Sequence, residues 1–134
     1  MRILVGCVAI ALVLTSHTAA LAEPESSSEA PSIAPSELQG RRASGTAPVV
    51  IDVRTREEYA ASHVPGAVHI SYDEVADRIA EVDAPNGVAL YCMVGPRARK
   101  GEAALLAGGY ESVFHLEGGL AAWQEAGYPV EKDE

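Results

Sequence analysis

The chain has 134 residues, enough for one ordinary domain and its extensions. Hydrophobic residues make up 48% and charged residues 22%, a globular balance, while an aromatic share of 5% leaves the core to Val, Ile, Leu and Ala. The formal net charge of −9 argues against a nucleic-acid partner, which needs a basic face, and against docking on anionic lipid.

The N-terminus reads as a separate object. Arg2 precedes the apolar run 3–15, and the small-residue triplet Ala20-Leu21-Ala22 follows. A basic start, a short apolar stretch and an A-x-A site describe a secretory signal peptide over residues 1–22, too short to span a bilayer, which takes roughly 20 apolar residues. Leu4-Val5-Gly6-Cys7 is locally like a lipoprotein acylation site, but it begins the apolar run and leaves no signal in front of it, so Cys7 belongs to the discarded peptide. Cleavage after Ala22 removes Arg2 and leaves nine Lys and Arg against 19 Asp and Glu, a net of −10. The expectation is export, periplasmic or secreted, with no stable membrane association after cleavage.

Residues 23–32, EPESSSEAPS, read as a flexible acidic linker, and the domain is expected over 33–131. Pro35-Ser36-Glu37-Leu38 reads as a helix start capped by Ser36, ending near Ser44-Gly45. The β-branched run 49–53, VVIDV, suits a strand buried on both faces. Thr55 caps the next helix, with Glu57 and Glu58 in its first turn. Pro65-Gly66 is a turn and 67–70 a short strand; Ser71 then caps a helix running to Val82 with Val75, Ile79 and Val82 on one face. Asn86-Gly87 is a turn, 88–91 a strand, 96–107 a helix stopped by Gly108-Gly109, 112–116 a strand, and 119–126 a short helix stopped by Gly127. Strands alternating with helices at these spacings give βα units, hence a parallel sheet with helices on both faces. Ligands of such sheets sit beyond the carboxyl ends of the strands, where Cys92, Asp52 and Arg54 fall.

Cys92 is the one cysteine of the mature chain. It cannot form an internal disulfide, and in an exported protein it is an intermolecular partner, a reactive group or a buried inert thiol. Its surroundings favour reactivity. Met93, Val94 and Gly95 lead into a helix that starts at Pro96, and the first helical amides have no intrahelical partners. A loop curling around the sulfur aims several N–H groups at it and stabilises the thiolate, the nucleophilic form. Arg97, Arg99 and Lys100 form a local basic patch in an acidic chain; for Arg99 and Lys100, plain surface charges are an equal alternative. Asp52 and Arg54 either orient the loop or, the favoured reading, form a fold-holding salt bridge. His63 reads as a hydrogen-bonding residue of the turn, His69 and His115 as core or surface positions, and Trp123 as a packing anchor. No His, Cys, Asp or Glu pair has metal-ligand spacing.

Three segments resemble the single-domain rhodaneses, the thiosulfate sulfurtransferases: Ile51-Asp52-Val53-Arg54-Thr55-Arg56-Glu57-Glu58-Tyr59 with His63-Val64-Pro65-Gly66-Ala67; Cys92-Met93-Val94-Gly95-Pro96-Arg97-Ala98; and Leu116-Glu117-Gly118-Gly119-Leu120-Ala121-Ala122-Trp123 with Ala126-Gly127-Tyr128-Pro129-Val130. Together they span nearly the whole domain, in order. The resemblance implies a three-layer α/β/α fold around a mainly parallel sheet of about five short strands, with Cys92 catalytic and Met93 to Ala98 as the substrate-binding loop. It also implies no cofactor and no metal, a small anionic sulfur donor, a cyanide or thiol acceptor, and a monomer. Cysteine phosphatases and arsenate reductases of similar fold place five residues between Cys and Arg; here there are four, a ring that suits a sulfur atom. Met93, Val94 and Pro96 make the loop more apolar than a strongly basic thiosulfate site, and Ser62 replaces a frequent Gly. The expected activity is transfer of a sulfane sulfur from thiosulfate through a Cys92 persulfide. The alternatives are a sulfane-sulfur carrier without turnover and a redox thiol that forms mixed disulfides.

Overall fold

A computed structural model describes residues 29–133; the expected signal peptide, with Cys7, and most of the expected linker lie outside the described residues. The strands are β1 (Ser32–Ile33), β2 (Val49–Asp52), β3 (Val68–His69), β4 (Val88–Tyr91) and β5 (Val113–Leu116). The helices are α1 (Pro35–Ser44), α2 (Arg56–Ala61), α3 (Val75–Arg78), α4 (Pro96–Ala107) and α5 (Gly119–Glu125), with one 3₁₀ turn, Ile79–Glu81, after α3. The strands form one sheet in the order β1-β5-β4-β2-β3, and all its pairings are parallel.

Side-chain alternation sorts the apolar residues into two layers. Val88, Leu90 and Cys92 face one side with Ile51, Val53 and Val113, and are covered by Val75, Ala98 and Leu105 from α3 and α4. Ala89 and Tyr91 face the other side with Val50 and Leu116, covered by Leu38, Leu120 and Trp123 from α1 and α5. The result is the expected α/β/α sandwich, with β4 central and buried along its whole length. The chain runs outward from β2 to β3 on one side of the sheet and from β4 to β5 on the other. The order therefore reverses between β2 and β4, the place where open α/β sheets bind their ligands.

Several local expectations hold and several are corrected. Thr55 caps α2 in a full capping box: its Oγ1 accepts from the Glu58 amide at 3.2 Å, and a Glu58 carboxylate oxygen accepts from the Thr55 amide at 2.9 Å. Ser36 is not a cap; α1 begins at Pro35 behind Ala34, whose carbonyl accepts from the Leu38 amide. The helix expected from Ser71 to Val82 shrinks to α3 and the 3₁₀ turn. The Tyr72 amide is taken by the Val53 carbonyl at 3.1 Å and Ser71 closes a turn onto Glu74, so the backbone is committed to the sheet before a helix can start. The end of the expected linker packs against the domain: Ala30 is buried, the Pro31 carbonyl accepts from the His115 amide, and Ser32 enters β1. At the other terminus His63 and Glu131 form an antiparallel bridge, and Asp133 donates to the Ala60 carbonyl, which closes the domain on the end of α2.

Candidate active site

Cys92 follows β4 and is 1% exposed, on the floor of a loop that leads into α4. Its sulfur accepts a hydrogen bond from the Gly95 amide at 3.0 Å. The sequence led us to expect several amides on the sulfur; the structure places this one there. Gly95 achieves it at φ 138°, ψ −39°, a backbone geometry that side chains oppose. Pro96 opens α4 immediately afterwards without losing a needed donor, and the Arg99 amide bonds the Gly95 carbonyl. Met93 and Val94 line the rim, Val94 being 65% exposed, and Ala98 is buried beneath it.

The loop is held from behind by α5, an arrangement the sequence reading missed. The Leu120 and Ala121 amides, in the first turn of that helix, donate to the Cys92 and Met93 carbonyls at 2.9 and 3.1 Å. The approach is so close that a Cβ on Gly119 would fall 2.5 Å from the Cys92 oxygen and 2.6 Å from the Met93 oxygen. Gly118-Gly119 is thus more than the tight turn it resembles. It lets one main chain lie against another, and the signal for this was the glycine pair directly before an apolar helix.

The three cations have separate fates. Arg97 makes a two-pronged ion pair with Glu58, at 2.6 and 3.0 Å, across 39 residues of sequence. That bond holds the Glu58 carboxyl at about 2, against an ordinary 4.5; it also holds the guanidinium above its usual value, with a smaller contribution from the Cys92 sulfur. Glu58 therefore both caps α2 and ties α2 to the loop, a role its place in the first turn did not reveal. Arg99 donates to the Ala30 carbonyl at 2.9 Å, and the Lys100 ammonium stands 5.7 Å from the centre of the Tyr72 ring. The expected basic patch is in this way distributed among partners, with Arg97 alone bound at the loop itself.

Asp52 and Arg54 form the fold-holding pair. The guanidinium reaches the carboxylate at 2.7 and 3.0 Å with both residues buried, and its other bonds go to the Glu58 and Ser62 carbonyls. The Tyr91 hydroxyl donates to Asp52 at 2.7 Å and accepts from the Val64 amide at 3.0 Å, so β4, β2 and the turn after α2 share one buried network. Burial, reinforced by the Asp52 carboxylate, pushes the Tyr91 phenol far above its ordinary range and keeps it a donor. His63 stacks on Tyr59 at 3.9 Å between ring centres, and its Nδ1 bonds the Tyr59 carbonyl at 2.8 Å, in keeping with a structural histidine. His69 bonds the Arg54 carbonyl, and the Trp123 indole donates to the Pro129 carbonyl. His115 does more than fill the core: it pairs with buried Glu102 at 2.8 Å, from β5 to α4.

A doubly wound parallel sheet with a cysteine loop at the carboxyl end of its central strand defines a class of α/β proteins in which a strand-end thiol meets a helix start. Within that class, residues 34–126 match the Rhodanese-like domain family, and the chain belongs to it. It is 37% identical over 106 residues to the thiosulfate sulfurtransferase GlpE of Pseudomonas fluorescens, which covers 78% of this chain and 93% of the relative. It is 32% identical over 82 residues to a sulfurtransferase of Allochromatium vinosum, covering 61% of this chain and 77% of that protein. Among solved structures, the rhodanese-like domain of Alr3790 from Anabaena superimposes with a TM-score of 0.69 at 29% identity, over 76% of this chain and 79% of that one.

Proposed function

We propose that the protein is a sulfurtransferase that carries a sulfane sulfur on Cys92. The observation that carries the reading is the strand-end sulfur under the Gly95 amide, in a loop with four residues between Cys92 and Arg97. The names of the relatives support thiosulfate as donor. In the first half-reaction the Cys92 thiolate attacks the outer sulfur of thiosulfate. A new S–S bond forms, the old one breaks, and sulfite leaves with its electron pair. The Gly95 amide stabilises the attacking thiolate, and the terminal sulfur of the resulting persulfide takes over the negative charge. Cyanide then attacks the terminal sulfur, thiocyanate departs and the thiolate returns; a thiol acceptor takes the sulfur in the same way. We read residues 1–22 as a leader removed on export, which the N-terminal mass of the mature protein tests. We take the mature protein to be a monomer.

The test is thiocyanate formation from thiosulfate and cyanide by the wild type and by Cys92→Ser, with intact mass after thiosulfate treatment. Turnover and a gain of one sulfur atom are expected in the wild type, and neither in the variant. A wild type that gains no sulfur refutes the reading. A second reading, a carrier that loads sulfur and releases it only to a partner, is favoured by the deep position of Cys92 and the apolar rim of Met93 and Val94. It predicts the mass gain without steady-state turnover.

A further inference from the structure

The buried Glu102–His115 pair takes no part in the sulfur chemistry described above, yet it lies directly against the loop. Glu102 is 1% exposed and His115 6%. Imidazole Nδ1 is 2.8 and 3.0 Å from the two carboxylate oxygens. The hydrogen bond between Nδ1 and the carboxyl group fixes the ring in orientation. The Cε1–Nε2 edge of the ring flanks Gly95, at the distance where a Cβ added to that glycine would touch it, 3.6 Å from both atoms. Gly95 is the residue whose amide bonds the Cys92 sulfur. Carboxylate, imidazole, loop glycine and sulfur thus stand next to one another in series.

We propose that Glu102 and His115 are a positioning pair for Cys92: the carboxylate anchors the imidazole through Nδ1, and the Cε1–Nε2 edge backs Gly95 so that its N–H stays on the sulfur. A buried carboxyl–imidazole pair is a costly way to fill a core, which apolar residues of similar volume fill without desolvating polar groups. Here its geometry supports the strained Gly95 backbone. The other charged groups at this place are Arg99, on α4, and Glu29, ahead of β1; both line a cleft of about 220 Å³ that reaches Glu102. The proposal rests on Cys92 as the reacting group, but its readout needs no sulfur donor.

Two substitutions divide the pair. His115→Asn keeps an amide N–H where Nδ1 stood, so Glu102 stays bonded, but removes the edge beneath Gly95. His115→Gln reaches under Gly95 and gives up the Nδ1 position. The pH profile of Cys92 alkylation by iodoacetamide is measured on the full mature chain of each, together with the thermal midpoint. The midpoint of the profile is expected to rise by about one pH unit in His115→Asn, the order of one lost hydrogen bond to an anion, and by less than about a third of that in His115→Gln. The reverse order, or an unchanged profile in His115→Asn whatever its thermal stability, overturns the proposal. Should His115→Asn fail to fold, Glu102→Ala decides, since it removes the anchor and keeps the ring: a rise in the midpoint is expected, and a profile equal to wild type overturns the proposal. A wild type that gains no sulfur from thiosulfate but shows this alkylation pattern refutes the transferase reading and leaves the positioning role standing.

Discussion

Gly119→Ala tests how the loop is built. The new methyl would lie 2.5 and 2.6 Å from two carbonyl oxygens, and both belong to main chain that cannot swing aside as a flexible side chain can. The position also has φ +62°, where an alanine costs about 1–2 kcal/mol. Relief of the clash requires α5 to move off the loop, which lengthens the Leu120 and Ala121 hydrogen bonds at about 1 kcal/mol each. The sum is roughly 3–4 kcal/mol. Gly109→Ala is the control, since φ is +88° there but no atom lies within 4 Å, so only the conformational cost of about 1–2 kcal/mol remains. Urea unfolding of the two variants should separate them by about 2 kcal/mol. Equal destabilisation of the two variants, to within about 0.5 kcal/mol, would refute the close approach as the reason for the glycine.

Other consequences concern the loop and the network beneath it. In Glu58→Gln the tie to Arg97 is weakened. The Glu58 carboxyl is held at about 2 against an ordinary 4.5, so its contribution is complete above the higher value and is lost as pH falls through the lower. The wild type's advantage over Glu58→Gln in denaturant should thus be flat near neutrality, shrink on acidification below about 4.5 and be reduced by salt, both side chains being about a third exposed; an advantage that ignores acid would sink this account. Tyr91→Phe leaves the buried Val64 amide without its acceptor and Asp52 with one donor fewer, a loss of about 2 kcal/mol by unfolding. A loss below about 0.5 kcal/mol would mean that water or neighbours take over. Val94→Arg places a cation on the exposed rim next to Cys92 and should lower KM for thiosulfate about threefold at low salt, a surface-charge effect of about 0.6 kcal/mol that fades as salt is raised. A KM independent of salt contradicts it.

The elements legible in the sequence were those with a local cause. The β-branched run at Val49–Asp52 had no other stable use than a strand buried on both faces. Pro96 and Gly108-Gly109 bracketed α4, Thr55 with Glu58 announced α2, and the thiol between a strand and a helix start pointed to its own loop. What stayed hidden was decided by distant partners. β1 is a two-residue edge strand whose pairing with β5 outweighs its Ser- and Pro-rich composition. Ser71 resembles a cap, but the sheet claims the backbone beside it. Glu58 with Arg97, 39 residues apart, and Glu102 with His115, 13 apart, are brought together by topology, and no periodicity in one sequence announces such pairs.

The amides that steady the Cys92 and Met93 carbonyls come from Leu120 and Ala121, each 28 residues further along the chain. The thiol loop is consequently complete only when α5 is docked against it. A nascent polypeptide halted before Leu120 can lay down β4 and begin α4, but two carbonyls of its cysteine turn still lack their native donors. The geometry around Cys92 therefore reports the docking of α5 and not the formation of β4 and α4 alone.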